Sequence, residues 1–143
     1  MTKDERLEEY GRCEECNEIN TADGWCRRCN AARFQKDFDK WTSGNKDIDY
    51  FIQNTQIHAW HNNLVLEWYP WENFSEIKEI GKGGYGTVFR AKPKVGIINK
   101  WDHEINQWKR QYIHENSYVA LKTMGDSESK DFMNEVINLH LLN

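Results

Sequence analysis

The stretch Ile80-Gly81-Lys82-Gly83-Gly84-Tyr85-Gly86-Thr87-Val88-Phe89-Arg90-Ala91 constrains this chain more than any other. Gly81, Gly83 and Gly86, at G-x-G-x-x-G spacing, remove Cβ atoms where a backbone turns tightly and lies close to a ligand. Amide N–H groups in such a loop can converge on phosphate oxygens. Two architectures use the spacing. A dinucleotide loop opens a helix, whereas Thr87, Val88 and Phe89 are β-branched or aromatic and read as a second strand. The sequence therefore predicts a glycine-rich hairpin lying over a nucleotide.

A chain of 143 residues can bury one modest core, or a small domain and an appendage. Its hydrophobic content is 38%, yet it has seven tryptophans, so burial must rest on a few large side chains. The formal net charge of −4 with both signs interspersed argues against a general grip on nucleic acid or an anionic membrane. Residues 1–6 are charged and lack the apolar core of a signal peptide. No apolar run has the length of a membrane span. The expectation is an intracellular, cytoplasmic protein.

All four cysteines fall in one short segment. Cys13-Glu14-Glu15-Cys16 and Cys26-Arg27-Arg28-Cys29 are C-x-x-C pairs separated by nine residues. Two such knuckles can supply four thiolates to one tetrahedral zinc, a closed structural site with no open position for substrate. Arg12, Arg27 and Arg28 would offset the thiolate charge, and Glu14 and Glu15 would oppose it. The alternatives are reduced cysteines in a disordered terminus, or a redox pair, which normally starts a helix after a strand. The segment somewhat resembles the small zinc finger of the Ran-binding-protein type, which implies a zinc-knuckle fold and nothing about binding residues.

Between the cysteines and the glycines, Phe34, Phe38 and Trp41 form a helical stripe within residues 31–41. Thr42-Ser43-Gly44-Asn45 is a breaker, and Ile48, Phe51, Ile52 and Thr55 predict a second short helix capped by Asn45 or Asp47. His58 and His61 could share a helix face but lack further ligands, so they read as ordinary polar residues. Leu64, Leu66 and Trp68 alternate like a strand that Pro70 ends. Trp68, Tyr69 and Trp71 are candidate anchors for the approach to the next domain.

Beyond the glycines, Tyr118-Val119-Ala120-Leu121-Lys122 is an apolar strand ending in a lysine. After Gly125-Asp126-Ser127, an amphipathic helix is expected, with Phe132, Val136 and Leu139 on one face and Glu135 beside them. From Phe74 onward the chain resembles the N-terminal lobe of a protein kinase. That resemblance implies an α+β fold, an antiparallel sheet with one helix (αC), and an ATP site. By it, Gly81, Lys82, Gly83, Gly84, Tyr85 and Gly86 cover the ATP phosphates, and Val88 and Ala120 line the adenine pocket. Lys122 contacts the phosphates and Glu135 pairs with it. The cysteine segment, the T-S-G-N turn and the E-W-x-P approach also resemble fungal kinases of the tyrosine-kinase-like group.

The expected organisation is a zinc segment over 1–30, a helical linker over 31–73 and a kinase N-lobe over 74–143. The connection from Ala91 to Val119 is long, and residues 95–112 read as an inserted hairpin with Trp101 and Trp108 flanking a polar tip. Those tryptophans suggest either a plain hairpin or a docking surface. The sequence has no H-R-D, D-F-G or A-P-E, whose residues hold magnesium and orient the hydroxyl nucleophile in a complete kinase. Two functions follow. One is the front part of an ATP-dependent protein kinase, inactive by itself. The other is a non-catalytic, zinc-containing binding or scaffolding module. Neither the protein substrate or signalling partner nor the oligomeric state is encoded legibly.

Overall fold

The computed structural model describes residues 1–83, 86–122 and 137–142, with the backbone alone for Gly83, Lys122 and the last strand. It is an α+β structure whose elements run α1 (Lys3–Tyr10), α2 (Arg27–Lys36), α3 (Lys46–His58), then β1 (Phe74–Gly83), β2 (Gly86–Pro93), β3 (Ile98–Asp102), β4 (Gln107–Arg110), β5 (Tyr118–Lys122) and β6 (Ile137–Leu142). The chain divides into two compact units. The first comprises Met1–Trp41, Tyr50–Leu66 and Ile98–Arg110; the second comprises Thr42–Asp49, Glu67–Ile97 and Gln111–Asn143.

In the first unit, Thr2 caps α1 by accepting from the Glu5 amide, and Asp4 and Glu5 complement the positive end of the helix. No residue of α1 is buried. It is held instead by Arg6, whose guanidinium donates to the Ile19 and Asn20 carbonyls. The helix expected over residues 31–41 begins earlier, at Arg27, and ends at Lys36, with Phe38–Lys40 continuing as a 3-10 turn. The second knuckle is therefore partly helical. Phe34 and Phe38 join one core as the stripe predicts, whereas Trp41 is extended.

That core gathers Ala22, Trp25, Phe34, Ala59 and Ile98, with Phe38, Val65 and Trp108 against it. Trp25 is 1% exposed and its indole N–H donates to the Ala59 carbonyl at 3.0 Å, so its polar handle is satisfied inside. The strand expected through Leu64, Leu66 and Trp68 does not form. Asn62–Leu64 is a 3-10 turn, and Leu66 bonds to α3 side chains through both backbone groups. Its N–H donates to Thr55 Oγ1 at 3.1 Å and its carbonyl accepts from Gln56 Nε2 at 2.9 Å. Satisfied there, the segment has no need of a ladder.

The second unit contains the Thr42–Asp49 turn that starts α3. Asn45 Oδ1 accepts from the Asp47 and Ile48 amides, which fixes Asn45 as the cap. Its main body is a four-stranded antiparallel sheet in the order β1-β2-β5-β6. Phe74, Ala91, Val119 and Leu121 form the core on one face, with Tyr69, Trp71, Ile77 and Phe89 packed against it. Tyr69 meets Phe74 edge-on at 6.1 Å, and Trp71 meets Phe89 likewise, so two of the three candidate anchors pack as such.

The helix expected through Leu139 needs correction. Residues 137–142 are strand β6, paired with β5 from Tyr118↔Leu142 to Lys122↔Ile137. Ile137, Leu139 and Leu141 alternate with Asn138 and His140, which is the two-residue period of a strand. Phe132, Glu135 and Val136 lie outside the described residues.

Candidate metal centre and phosphate loop

The first knuckle is built by a tight turn. Asn17 takes a left-handed conformation (φ 63°), its N–H donates to the Cys13 carbonyl, and the Cys13 N–H donates to the Glu18 carbonyl. The second follows a short bridge between Ala22 and Trp25, turned at Asp23-Gly24, and enters α2 at Cys26. Together they bring Cys13, Cys16, Cys26 and Cys29 to one point, with all four sulfurs within 4.8 Å of one another. Cys13 Sγ lies 3.8 Å from Cys29 Sγ, and Cys16 Sγ 3.7 Å from Cys26 Sγ. Thiolates at a Zn–S length of about 2.3 Å at the corners of a tetrahedron stand about 3.8 Å apart. These separations are far too long for disulfides, which need about 2.05 Å. The four cysteines are free and positioned to bind a metal ion, and they are the only such group among the described residues.

The electrostatics show what the cluster lacks on its own. The Glu18 backbone N–H holds the Cys16 thiol below its ordinary range. Burial, and then the neighbouring sulfurs, push Cys26 and Cys29 up. Four sulfurs this close cannot all ionise without a cation among them. Glu15, between the first two cysteines, is drawn up by burial, but its bond and charge contact with Arg33 prevail and lower its pKa. Of the expected offsetting cations, Arg12 donates to the Asn17 carbonyl and Arg28 forms a loose exposed pair with Glu18 at 3.8 Å. The sequence reading missed Arg33. Its signal is its place one helical turn beyond Cys29 on α2.

His58 bonds to the Asn54 carbonyl and His61 accepts from the Asn63 amide, so both are ordinary polar residues. Trp101 and Trp108, the candidates for a docking surface, pack within the first unit. They sit opposite each other across the β3–β4 hairpin, and Trp108 stacks on Phe34 and Trp25.

In the second unit, β1 and β2 form the hairpin that the glycines predict. Gly81 pairs with Val88, Lys82 with Thr87 and Gly83 with Gly86, leaving two residues between the paired glycines. Gly86 has φ 122°, a conformation closed to residues with a side chain. A Cβ on Gly81 would meet nothing within 4 Å, so the backbone there stands open. Gly84 and Tyr85, like Glu135, lie outside the described residues.

The register then decides which residues share a face. Phe89↔Leu121 and Ala91↔Val119 occupy the core face of the sheet. Val88↔Lys122 and Arg90↔Ala120 alternate with them and share the opposite face. Val88, Ala120 and Lys122 thus fall on one face beside the glycine hairpin. Arg90, which the sequence reading did not single out, falls there too. Its guanidinium lies over the Tyr118 ring at 4.4 Å, and its buried Nε has no hydrogen-bond partner among the described residues. Lys82 is exposed.

No described helix is long and apolar enough to cross a membrane. No protein-family model, curated protein or solved structure matches the chain.

Proposed function

We propose that the second unit is the ATP-binding part of a protein kinase N-terminal lobe, and that the four cysteines hold a structural zinc. The observation that carries the nucleotide reading is the strand register. It sets Lys122 opposite Val88, two residues along β2 from the Gly83–Gly86 turn. In this reading the backbone amides of Gly81, Lys82, Gly83 and Gly86 receive phosphate oxygens, Val88 and Ala120 offer an apolar face to adenine, and Lys122 carries the charge for the α/β-phosphates. Glu135 is assigned as the partner of Lys122 by the kinase resemblance alone. For zinc, the support is the tetrahedral sulfur spacing and the all-thiolate donor set. Zinc there would supply a cross-link between the knuckles and no reactivity.

The complete reaction transfers the ATP γ-phosphate to a Ser, Thr or Tyr hydroxyl of a protein, with magnesium. The 143 residues hold no H-R-D or D-F-G sequence, so this chain alone is expected to bind nucleotide without transferring phosphate. A second reading is a kinase-derived module that binds a signalling partner and catalyses nothing. We place either in the cytoplasm.

Calorimetric titration with Mg·ATP tests both. Saturable binding that weakens at least about tenfold in Lys122→Ala, with unchanged far-UV dichroism, supports the nucleotide site. An absence of binding at millimolar ATP in the folded wild-type chain overturns it and leaves the scaffold. Metal content of the purified protein tests the zinc, where one per chain is expected and none would refute the four-thiolate site.

A further inference from the structure

We infer that hairpin β3–β4 is the second half of the metal module, so that metal loading at the cysteines and docking of the hairpin strengthen each other. The inference rests on the metal reading above but not on the nucleotide one. The hairpin reaches residues that flank the ligands in both knuckles. At the first, His103 Nδ1 at the hairpin tip lies 3.4 Å from Glu15 Oε1, between Cys13 and Cys16. At the second, Trp108 stacks on Trp25, which precedes Cys26, with ring centroids 5.8 Å apart and planes 22° apart. It also stacks on Phe34 of α2 at 4.7 Å. Arg33 joins the two ends. It pairs with Glu15 and lies over the Trp101 ring at 4.3 Å. Ile98, 3% exposed, completes the core with Trp25 and Ala59.

Each half is stabilised by the other. A ribbon with strands of five and four residues is marginal in water by itself. Without it, Trp25 and Phe34 lose their shared stacking partner. Without a cation, the Glu15–Arg33 and Glu18–Arg28 pairs still link the two knuckles, but four close sulfurs that repel as they ionise oppose presenting Glu15 and Trp25 together. Metal binding therefore includes the free energy of hairpin docking, and linkage makes the effect reciprocal. The hairpin lies in the connection from β2 to β5, so metal availability governs the order of a segment more than eighty residues beyond Cys13 and Cys16.

The test is zinc affinity measured by competition with a chromophoric chelator, together with hydrogen exchange of the wild-type chain before and after chelation. Trp108→Ala is expected to weaken zinc binding by about tenfold or more, equivalent to about 1.4 kcal/mol. Trp108→Phe should recover most of that loss by keeping a stacked ring. Tyr112→Ala, which alters a residue 78% exposed and outside the hairpin, should leave affinity unchanged. On chelation, the amides of 98–110 should lose protection together with those of 13–29, while the β1–β2 ladder keeps it. Undiminished zinc affinity in a folded Trp108→Ala protein overturns the inference. So does continued protection of 98–110 after metal removal, or equal loss throughout both units. If Trp108→Ala does not fold, the wild-type exchange result decides. A wild-type chain that binds no zinc fails at the metal reading itself, and its zinc content reveals that separately.

Discussion

At the scale of single residues, Asp49 shows how one carboxylate organises a turn. It accepts from Thr42 Oγ1, from the Ser43 amide at 2.7 Å and from Ser43 Oγ, and Ser43 is 2% exposed. Partial burial raises its pKa, but the bonds from Ser43 and Thr42 prevail and hold it below the usual carboxylate range. A depressed native pKa stabilises the fold above the unfolded value of about 3.9 and is lost as pH falls through the native value. Asp49→Asn should therefore cost about 1–3 kcal/mol at pH 7, and urea titrations should show its acid-limb pH dependence flattened below pH 4. A variant whose stability tracks the wild type from pH 7 down to pH 2 would refute this. That Asn45 or Asp47 caps α3 was legible from residue type and position, because a short polar side chain ahead of an apolar period has few other uses; the choice of Asn45 was not. The bonds to Asp49 were not legible. They depend on how the Thr42–Gly44 backbone, with Gly44 at φ 91°, folds back onto the first turn of the helix.

At the scale of elements, glycines separate fold from function. Gly81→Ala meets open space at a φ that tolerates a side chain, so stability should change by less than about 1 kcal/mol. If the proposed nucleotide site exists, the substitution should instead weaken Mg·ATP binding, because backbone amides would approach phosphates there. Gly96 contrasts with it. A Cβ would lie 1.9 Å from the Gln111 carbonyl oxygen, a backbone atom that cannot rotate away. Gly96→Ala should cost at least about 1–3 kcal/mol, visible as a lowered Tm, and equal Tm values for the two variants would contradict the packing at the hairpin base. Strands β1, β2 and β5 were legible, since β-branched and aromatic runs bounded by glycine and turns leave little ambiguity. The alternation of Ile137, Leu139 and Leu141 was equally present, yet a helical stripe through Phe132 and Val136 also fits Leu139. Short apolar runs satisfy both periods.

At the scale of the whole molecule, the two units are interleaved along the chain rather than consecutive. Residues 1–41 share a unit with 98–110, so the cysteine segment and the inserted hairpin are halves of one core. Deleting residues 1–30 removes Ala22 and Trp25 from the core they share with Ile98 and Trp108, and leaves part of the apolar hairpin face uncovered. Such a chain should bind a hydrophobic dye and elute as aggregate in size exclusion, whereas the full chain should do neither. A monomeric, dye-negative deletion product would show that the hairpin stands without its partner.

The sequence by itself determined the local chemistry: two cysteine knuckles, a glycine hairpin bounded by strands, a lysine-tipped strand and the polar residues able to cap α3. Each of those depends on residue type and spacing over a few positions, where sterics and hydrogen bonding act directly. Tertiary structure alone decided the rest. Only folding brings four sulfurs within 4.8 Å of one another, seats Trp108 against Trp25 and puts Lys122 opposite Val88 beside the glycine turn. Such pairings arise from apolar burial among residues far apart in the chain, and burial is non-directional, so no short stretch specifies its own partner. The glycine hairpin was therefore legible as a loop, and its neighbours were fixed by register.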